Sequence, residues 1–158
     1  RQACQALAAN PAGHLKAVIA VHLYGQPADL PAIQAVAADF NLTLIEDCAQ
    51  AHGARLHGRR LGTWGVCGTF SFYPTKNLGA LGDGGAVLTA DPELDRLLRL
   101  LREYGWKERY ISHIPGMTSR LAPLQAALLA VKLPHLDAEN RQRRAIATAY
   151  DQALRATS

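Results

Sequence analysis

The apolar positions of this chain follow two rhythms. Ala17-Val-Ile-Ala-Val21 and Leu42-Thr-Leu-Ile45 are short, nearly continuous apolar runs, which predict strands covered on both faces, as in parallel sheets. Between them Leu30, Ile33, Val36, Ala37 and Phe40 recur at the spacing of one helical face, with Asp29 placed to cap the first turn and Pro31 tolerated inside it. Strand, helix and strand make a βαβ unit, whose right-handed crossover leaves the strands parallel. Val66 to Tyr73 reads as a further buried strand stopped by Pro74, and Gly84 to Thr89 as another. Asp91-Pro92-Glu93 opens an amphipathic helix with Leu94, Leu97, Leu98, Leu101 and Tyr104 on its inner face. Gln2 to Ala9 fits a helix, His22 to Asp29 a loop, Arg55 to Gly65 a turn or hairpin, and Tyr110 to Thr118 irregular chain. A helix capped near Ser119 runs to about Leu133, where Pro134 breaks it, and a more polar helix spans Asp137 to Leu154. The class is α/β, a mostly parallel sheet flanked by helices.

Composition narrows the setting. With 158 residues, 49% apolar and 19% charged, the chain suits one domain with a real core. It opens on Arg1 and closes in polar, helix-like sequence, so it is expected to be a segment of a longer protein. Three cysteines, Cys4, Cys48 and Cys67, have no paired spacing, which argues against a disulfide framework or a zinc site and suits a reducing cytoplasm. No apolar stretch is long enough to cross a bilayer, and no secretion signal is visible. The net charge of +4 invites a nucleic-acid reading. Outside Arg59-Arg60 and the Arg141, Arg143, Arg144 group, however, the basic residues are scattered, and neither cluster interleaves with aromatics.

Lys76 is the residue that raises a chemical question. The chain has four lysines against thirteen arginines, so surface cations are mainly guanidinium groups, which cannot lose a proton. A lysine kept two residues after Pro74, at the mouth of a glycine-rich loop, is either solvated or an amine poised to attack a carbonyl. Asp47 ends the second strand, and open α/β sheets place ligands at the carboxyl ends of strands. Ser71 stands five residues before the lysine. Amine, carboxylate and hydroxyl are what pyridoxal phosphate needs for its aldehyde, ring nitrogen and phosphate. Singly, each has a plainer role: Asp47 as a helix cap, Ser71 as a strand residue, the glycines as turn formers.

Four stretches, in order and at matching intervals, carry a resemblance: Val-His-Leu-Tyr-Gly-Gln-Pro-Ala-Asp, Glu-Asp-Cys-Ala-Gln-Ala-His-Gly-Ala, Ser-Phe-Tyr-Pro-Thr-Lys-Asn-Leu-Gly-Ala-Leu-Gly-Asp-Gly-Gly-Ala and Ser-Arg-Leu-Ala-Pro-Leu-Gln-Ala-Ala. From about Val18 to Tyr150 the chain resembles the DegT/DnrJ/EryC1/StrS family of sugar aminotransferases. The resemblance implies the aspartate-aminotransferase fold (fold type I of the pyridoxal-phosphate enzymes). Residues 1–158 would then be part of the large domain, without the N-terminal part and the C-terminal small domain. It implies pyridoxal 5'-phosphate as cofactor and transfer of an amino group, usually from glutamate, to a nucleotide-linked keto sugar, with closest wording to members acting on thymidine-diphosphate 3-keto deoxysugars. By position Lys76 would form the internal aldimine and shuttle the proton, Asp47 would pair with the ring nitrogen, Gln50 would lie against the ring or its phenolic oxygen, and Ser71 would hold phosphate. A homodimer with shared active sites is implied, with no nucleic acid and no membrane as partners.

Thr118 stands where the family commonly has an asparagine reaching the cofactor phosphate of the partner subunit, and Ala122-Pro123 replaces acidic residues. His22 and His52 border the proposed site and read as histidines satisfied by hydrogen bonds, while His57, His113 and His135 lack metal-ligand spacing. Gly79 to Gly85 lacks the dinucleotide pattern, and Thr75-Lys76 lacks the P-loop glycine. The alternatives are a catalytically inactive fragment or regulatory remnant of this fold and a basic nucleic-acid-binding α/β domain.

Overall fold

The computed structural model describes residues 1–8 and 14–157. Its elements are α1 Gln2–Ala8, β1 Ala17–Val21, α2 Leu30–Asp39, β2 Thr43–Asp47, β3 Arg55–Leu56, β4 Arg59–Arg60, β5 Cys67–Ser71, β6 Gly85–Leu88, α3 Pro92–Leu101, β7 Trp106–Glu108, β8 Ile111–Ser112, α4 Pro123–Lys132 and α5 Leu136–Arg155. Ala9, at the end of the first expected helix, lies outside the described residues.

The βαβ unit forms as its pattern predicts. Asp29 accepts from the Ala32 amide at 3.2 Å and starts α2, which ends where Asn41 turns left-handed at φ 50°. The main sheet runs β1-β2-β5-β6, with β1, β2 and β5 parallel and β6 antiparallel. Val21 pairs with Asp47, Asp47 with Thr69, and Ser71 with Gly85, so the carboxyl ends of three strands share one edge.

Two apolar clusters hold the chain. Ala20, Leu30, Leu44, Cys48, Ala51 and Leu61 are buried where α2 lies on one face of the sheet. Leu78, Ala80, Leu129 and Leu136, flanked by Phe72 and Leu121, join the loop after β5 to α4 and the start of α5.

The structure departs from the sequence pattern at particular points. The expectation that the first strand is covered on both faces is not met here, since Ile19 and Val21 are 61% and 51% exposed while Ala20 is buried. Strand side chains alternate, and α2 takes only the phase of Val18 and Ala20. The helix expected from Ser119 starts at Pro123 instead, where Ala122 offers no side-chain cap and proline removes one of the amides that needs one. The Ser119 amide is spent on the Arg102 carbonyl at 2.9 Å, tying this segment to the end of α3. Pro134 breaks the helical run as expected, but the break is a single 3-10 turn over Leu133–His135, and α5 follows at once. Within Tyr110 to Thr118, expected to be irregular, Ile111–Ser112 pairs with Trp106–Glu108 as the hairpin β7–β8, and Tyr110 turns it at φ 69°. The Arg55 to Gly65 segment holds the hairpin β3–β4, turned by His57 and Gly58, both at positive φ.

Candidate active site at the carboxyl edge of the sheet

The carboxyl edge gathers Asp47, Gln50, Ser71 and the loop that carries Lys76. Asp47 closes β2 half-buried, and its Oδ1 accepts from the Ala49 amide at 3.0 Å, an Asx turn that steers the chain off the strand. Among the described residues its other oxygen has no partner. Gln50 accepts through Oε1 from the Tyr24 amide at 2.7 Å, linking the loops after β1 and β2 and leaving its NH2 group free to donate. Ser71 ends β5, and its Oγ accepts from the Tyr73 amide at 3.3 Å, so the hydroxyl proton remains available.

The lysine loop is compact. The Lys76 amide donates to the Tyr73 carbonyl at 2.9 Å, the Ala80 amide to Phe72 at 2.8 Å, and the Phe72 amide to Gly84 at 2.7 Å. Gly79 is required by contact, because a Cβ there would sit 2.4 Å from the Pro74 carbonyl oxygen. Helices α4 and α5 grip the loop from outside. Lys132 Nζ donates to the Gly79 carbonyl, Gln125 Oε1 accepts from the Leu81 amide at 2.8 Å, and Asn77 donates to Asn140 Oδ1 at 3.0 Å. Lys132 therefore has its amine engaged, whereas the half-buried Lys76 amine has no protein acceptor among the described residues.

His52 lies beside this loop. It is 3% exposed, packed between Phe70 and Phe72 with ring centroids 5.7 and 6.1 Å away, and among the described residues neither ring nitrogen has a hydrogen-bond partner. Burial holds its pKa below the ordinary 6.5, the Ser71 backbone opposes this, and the Lys76 charge adds to the lowering. The sequence reading of His52 as a hydrogen-bonded histidine is therefore corrected.

His22 does match that reading. The Ala28 amide donates to its Nδ1 at 3.1 Å, so the ring proton sits on Nε2 and is directed at Glu46 Oε2, 3.2 Å away. Glu46 was not singled out by sequence, yet it is fully buried and accepts also from the amides of Gly62, at 2.7 Å, and Gly65, at 2.9 Å, and from that of Trp64. His22, Glu46 and Cys48 bring ligand atoms within 4.8 Å of one another, but the imidazole and carboxylate are already engaged. The Cys48 thiol is pushed up to about 12 by burial and by the charges of Glu46 and Asp47, which leaves it unreactive. All three cysteines are free thiols.

Thr118 stands apart from the edge group. It is exposed and bridges Glu103 on the segment after α3. No helix among the described residues is long and apolar enough to cross a membrane.

Residues 4–158 match the pattern of the DegT/DnrJ/EryC1/StrS aminotransferase family. The chain is 53% identical over 139 residues to the erythromycin biosynthesis sensory transduction protein EryC1 of Saccharopolyspora erythraea, covering 88% of this chain and 38% of that protein. It is 51% identical over 139 residues to the dTDP-3-amino-3,4,6-trideoxy-alpha-D-glucose transaminase of Streptomyces venezuelae, covering 88% of this chain and 37% of the relative. Among solved structures, S. venezuelae DesV in complex with a ketimine intermediate superposes with a TM-score of 0.86 at 49% identity, over 93% of this chain and 39% of that one. The chain thus spans well under half the length of the relatives it matches, and its fold is that of part of this aminotransferase architecture.

Proposed function

On the premise that this chain belongs to the DegT/DnrJ/EryC1/StrS aminotransferase family, we propose that it carries the cofactor site of a pyridoxal-phosphate enzyme. The enzyme moves an amino group from glutamate to a nucleotide-linked keto sugar, in the first instance a thymidine-diphosphate 3-keto deoxysugar. The name of the S. venezuelae transaminase supports that substrate class. We further propose a homodimer, in which Thr118 reaches the partner subunit's cofactor phosphate, working in the cytoplasm.

The residues at the carboxyl edge fit pyridoxal phosphate. An amine without a protein acceptor, a carboxylate oxygen without a donor and a buried imidazole with both nitrogens unpartnered lie around one sheet edge. When bound, the cofactor supplies an aldehyde that holds an amine covalently and a ring that accepts an electron pair from the substrate carbon. Lys76 would hold the aldehyde and afterwards carry a proton at Nζ to and from the substrate carbon. Asp47 would keep the ring nitrogen protonated through the oxygen its Asx turn leaves open. Ser71 would donate its hydroxyl proton to phosphate, and Gln50 its NH2 hydrogens to the phenolic oxygen.

The observation that carries this reading is that the half-buried Lys76, on the loop that leaves the carboxyl end of β5, has no acceptor for its amine among the described residues, whereas Lys132 on the same loop's outer side is engaged by the Gly79 carbonyl. The test is to add pyridoxal phosphate to the full-length protein, follow the visible absorbance of the covalent adduct, trap it with borohydride and map the modified residue. Trapping at Lys76, lost in Lys76→Ala, is expected, with turnover of glutamate and one member of a panel of nucleotide-linked keto sugars. A folded full-length protein that takes no cofactor at Lys76 ends the reading.

A further inference from the structure

Asn140, in the first half of α5, touches both limbs of this site. Its Nδ2 donates to the His52 carbonyl at 2.8 Å, and its Oδ1 accepts from Asn77 Nδ2 at 3.0 Å. The amide orientation follows from chemistry: the His52 carbonyl can only accept, so Nδ2 faces it and Oδ1 is left to Asn77. His52 lies on the loop that follows Asp47, and Asn77 is the residue next to Lys76. One side chain therefore spans from the acid's loop to the lysine's loop.

The post that carries it is fixed. Leu136, at the start of α5, is buried with Leu78, Ala80 and Leu129, and Asp137 pairs with Arg60 at 2.8 Å. Arg143, one turn on, places Nη1 3.3 Å from Asn140 Oδ1. The fit against the acid's loop is close, since a Cβ on Gly53 would come 3.0 Å from Asn140 Nδ2. The other contacts from the helices, Lys132 to Gly79 and Gln125 to Leu81, hold the far limb of the lysine loop. Among the described residues Asn140 makes the side-chain hydrogen bond from the helices to the limb where Lys76 sits, beside the apolar packing of Leu78 on Leu129 and Leu136.

We propose that Asn140 is a positioning residue that sets Lys76 in register with Asp47 and His52, by joining Asn77 to the His52 carbonyl. The proposal rests on the reading of Lys76 as the cofactor-bearing lysine. A group held within a fraction of an ångström by a neutral hydrogen bond loses about tenfold or more in a reaction that needs that placement when the bond is removed.

The experiment measures two things on the full-length protein. The first is amide hydrogen exchange in the cofactor-free state, and the second is the rate and pH profile of borohydride trapping at Lys76 with pyridoxal phosphate, per folded molecule. Asn140→Ala should speed exchange around Tyr73 to Leu78 more than around Gly79 to Gly84, slow trapping about tenfold or more and displace its pH profile. Asn77→Ala removes the same contact from the loop side, leaves α5 untouched, and should give the same slowing without a further loss in the double variant. Asn140→Asp keeps an acceptor for Asn77 but turns a carboxylate oxygen on the His52 carbonyl, so it should slow trapping at least as much as Asn140→Ala. Trapping and exchange at parental values in both alanine variants overturn this inference alone, as does a fall in Tm with trapping per folded molecule unchanged. Absence of trapping at Lys76 in the parent removes the reading beneath it and this proposal with it.

Discussion

Glu46 and His52 are six residues apart on the same strand-to-loop segment and nearly equally buried, yet one is saturated with partners and the other has none among the described residues. Around Glu46 the chain closes on itself, with three amides of the Gly62 to Gly65 turn and the His22 ring all directed at one carboxylate. Around His52 it supplies aromatic walls, with the Ser71 backbone and the Lys76 charge nearby, and neither nitrogen has a hydrogen bond among the described residues. A buried polar group that the fold satisfies holds the fold together, whereas one without a partner calls for a separate account, which at His52 is its place beside the proposed cofactor site.

The sharpest way to break that contrast is at Glu46. Removing the carboxylate strands the buried Gly62 amide, the half-buried Trp64 and Gly65 amides and the buried imidazole, so Glu46→Ala should cost about 3–5 kcal/mol, read from urea unfolding. Glu46→Gln keeps the volume and one acceptor but turns an NH2 group toward the donors, and should cost about 1–3 kcal/mol. Gly62 supports the same assembly, for it sits at φ 86° with Phe70 2.7 Å from where a Cβ would be. An alanine variant at Glu46 with parental stability would show that the closed cluster holds nothing together.

His52 should answer in the opposite sense. His52→Leu replaces an unsatisfied imidazole with an apolar side chain against Phe70 and Phe72, and is expected to leave the cofactor-free protein as stable as the parent or about 1 kcal/mol more so. The same change should weaken cofactor capture, measured by trapping at Lys76. Destabilisation comparable to that of the Glu46 variants would mean that the imidazole serves the fold after all.

The contrast also marks what the sequence disclosed. The βαβ unit was legible because its apolar spacing and the Asp29 cap point the same way, and Asp47 and Lys76 drew attention because strand ends and a loop lysine carry local signals. Glu46 was overlooked beside Asp47, although it lies in the inward phase of β2 with Leu44, where a charge demands a partner. Its partners come from the Gly62 to Gly65 turn and from His22, and no local pattern announces a carboxylate that far from its donors. Asn140 was invisible for the same reason, standing 63 residues from Asn77 and 88 from His52 in a helix that reads as polar. The β7–β8 hairpin was missed because its strands are too short for alternation to register and its turn uses Tyr110, a residue with no left-handed preference. The exposed phase of β1 misled outright, since a continuous apolar run promised a second covering layer that the described residues do not supply, and so did His52 and the expected inner face of α3, where Leu97 and Tyr104 are exposed.

The smallest expected effect is on acid stability, and its sign follows from burial. In the folded chain His52 binds a proton less readily than an ordinary histidine of pKa 6.5, because burial and the Lys76 charge both disfavour the cation. Above that value neither state carries the proton, and His52 contributes no pH dependence. Below it the unfolded chain binds a proton that the folded chain refuses, so stability falls as pH drops from 6.5 toward the lowered folded value. The difference between parent and His52→Leu isolates this group. Urea midpoints taken from neutral pH down to about pH 5 should fall more steeply for the parent than for His52→Leu, by no more than one bound proton per molecule. Parallel curves would mean that the imidazole finds a partner in the folded chain, and the distinction between the closed and the open polar group would disappear.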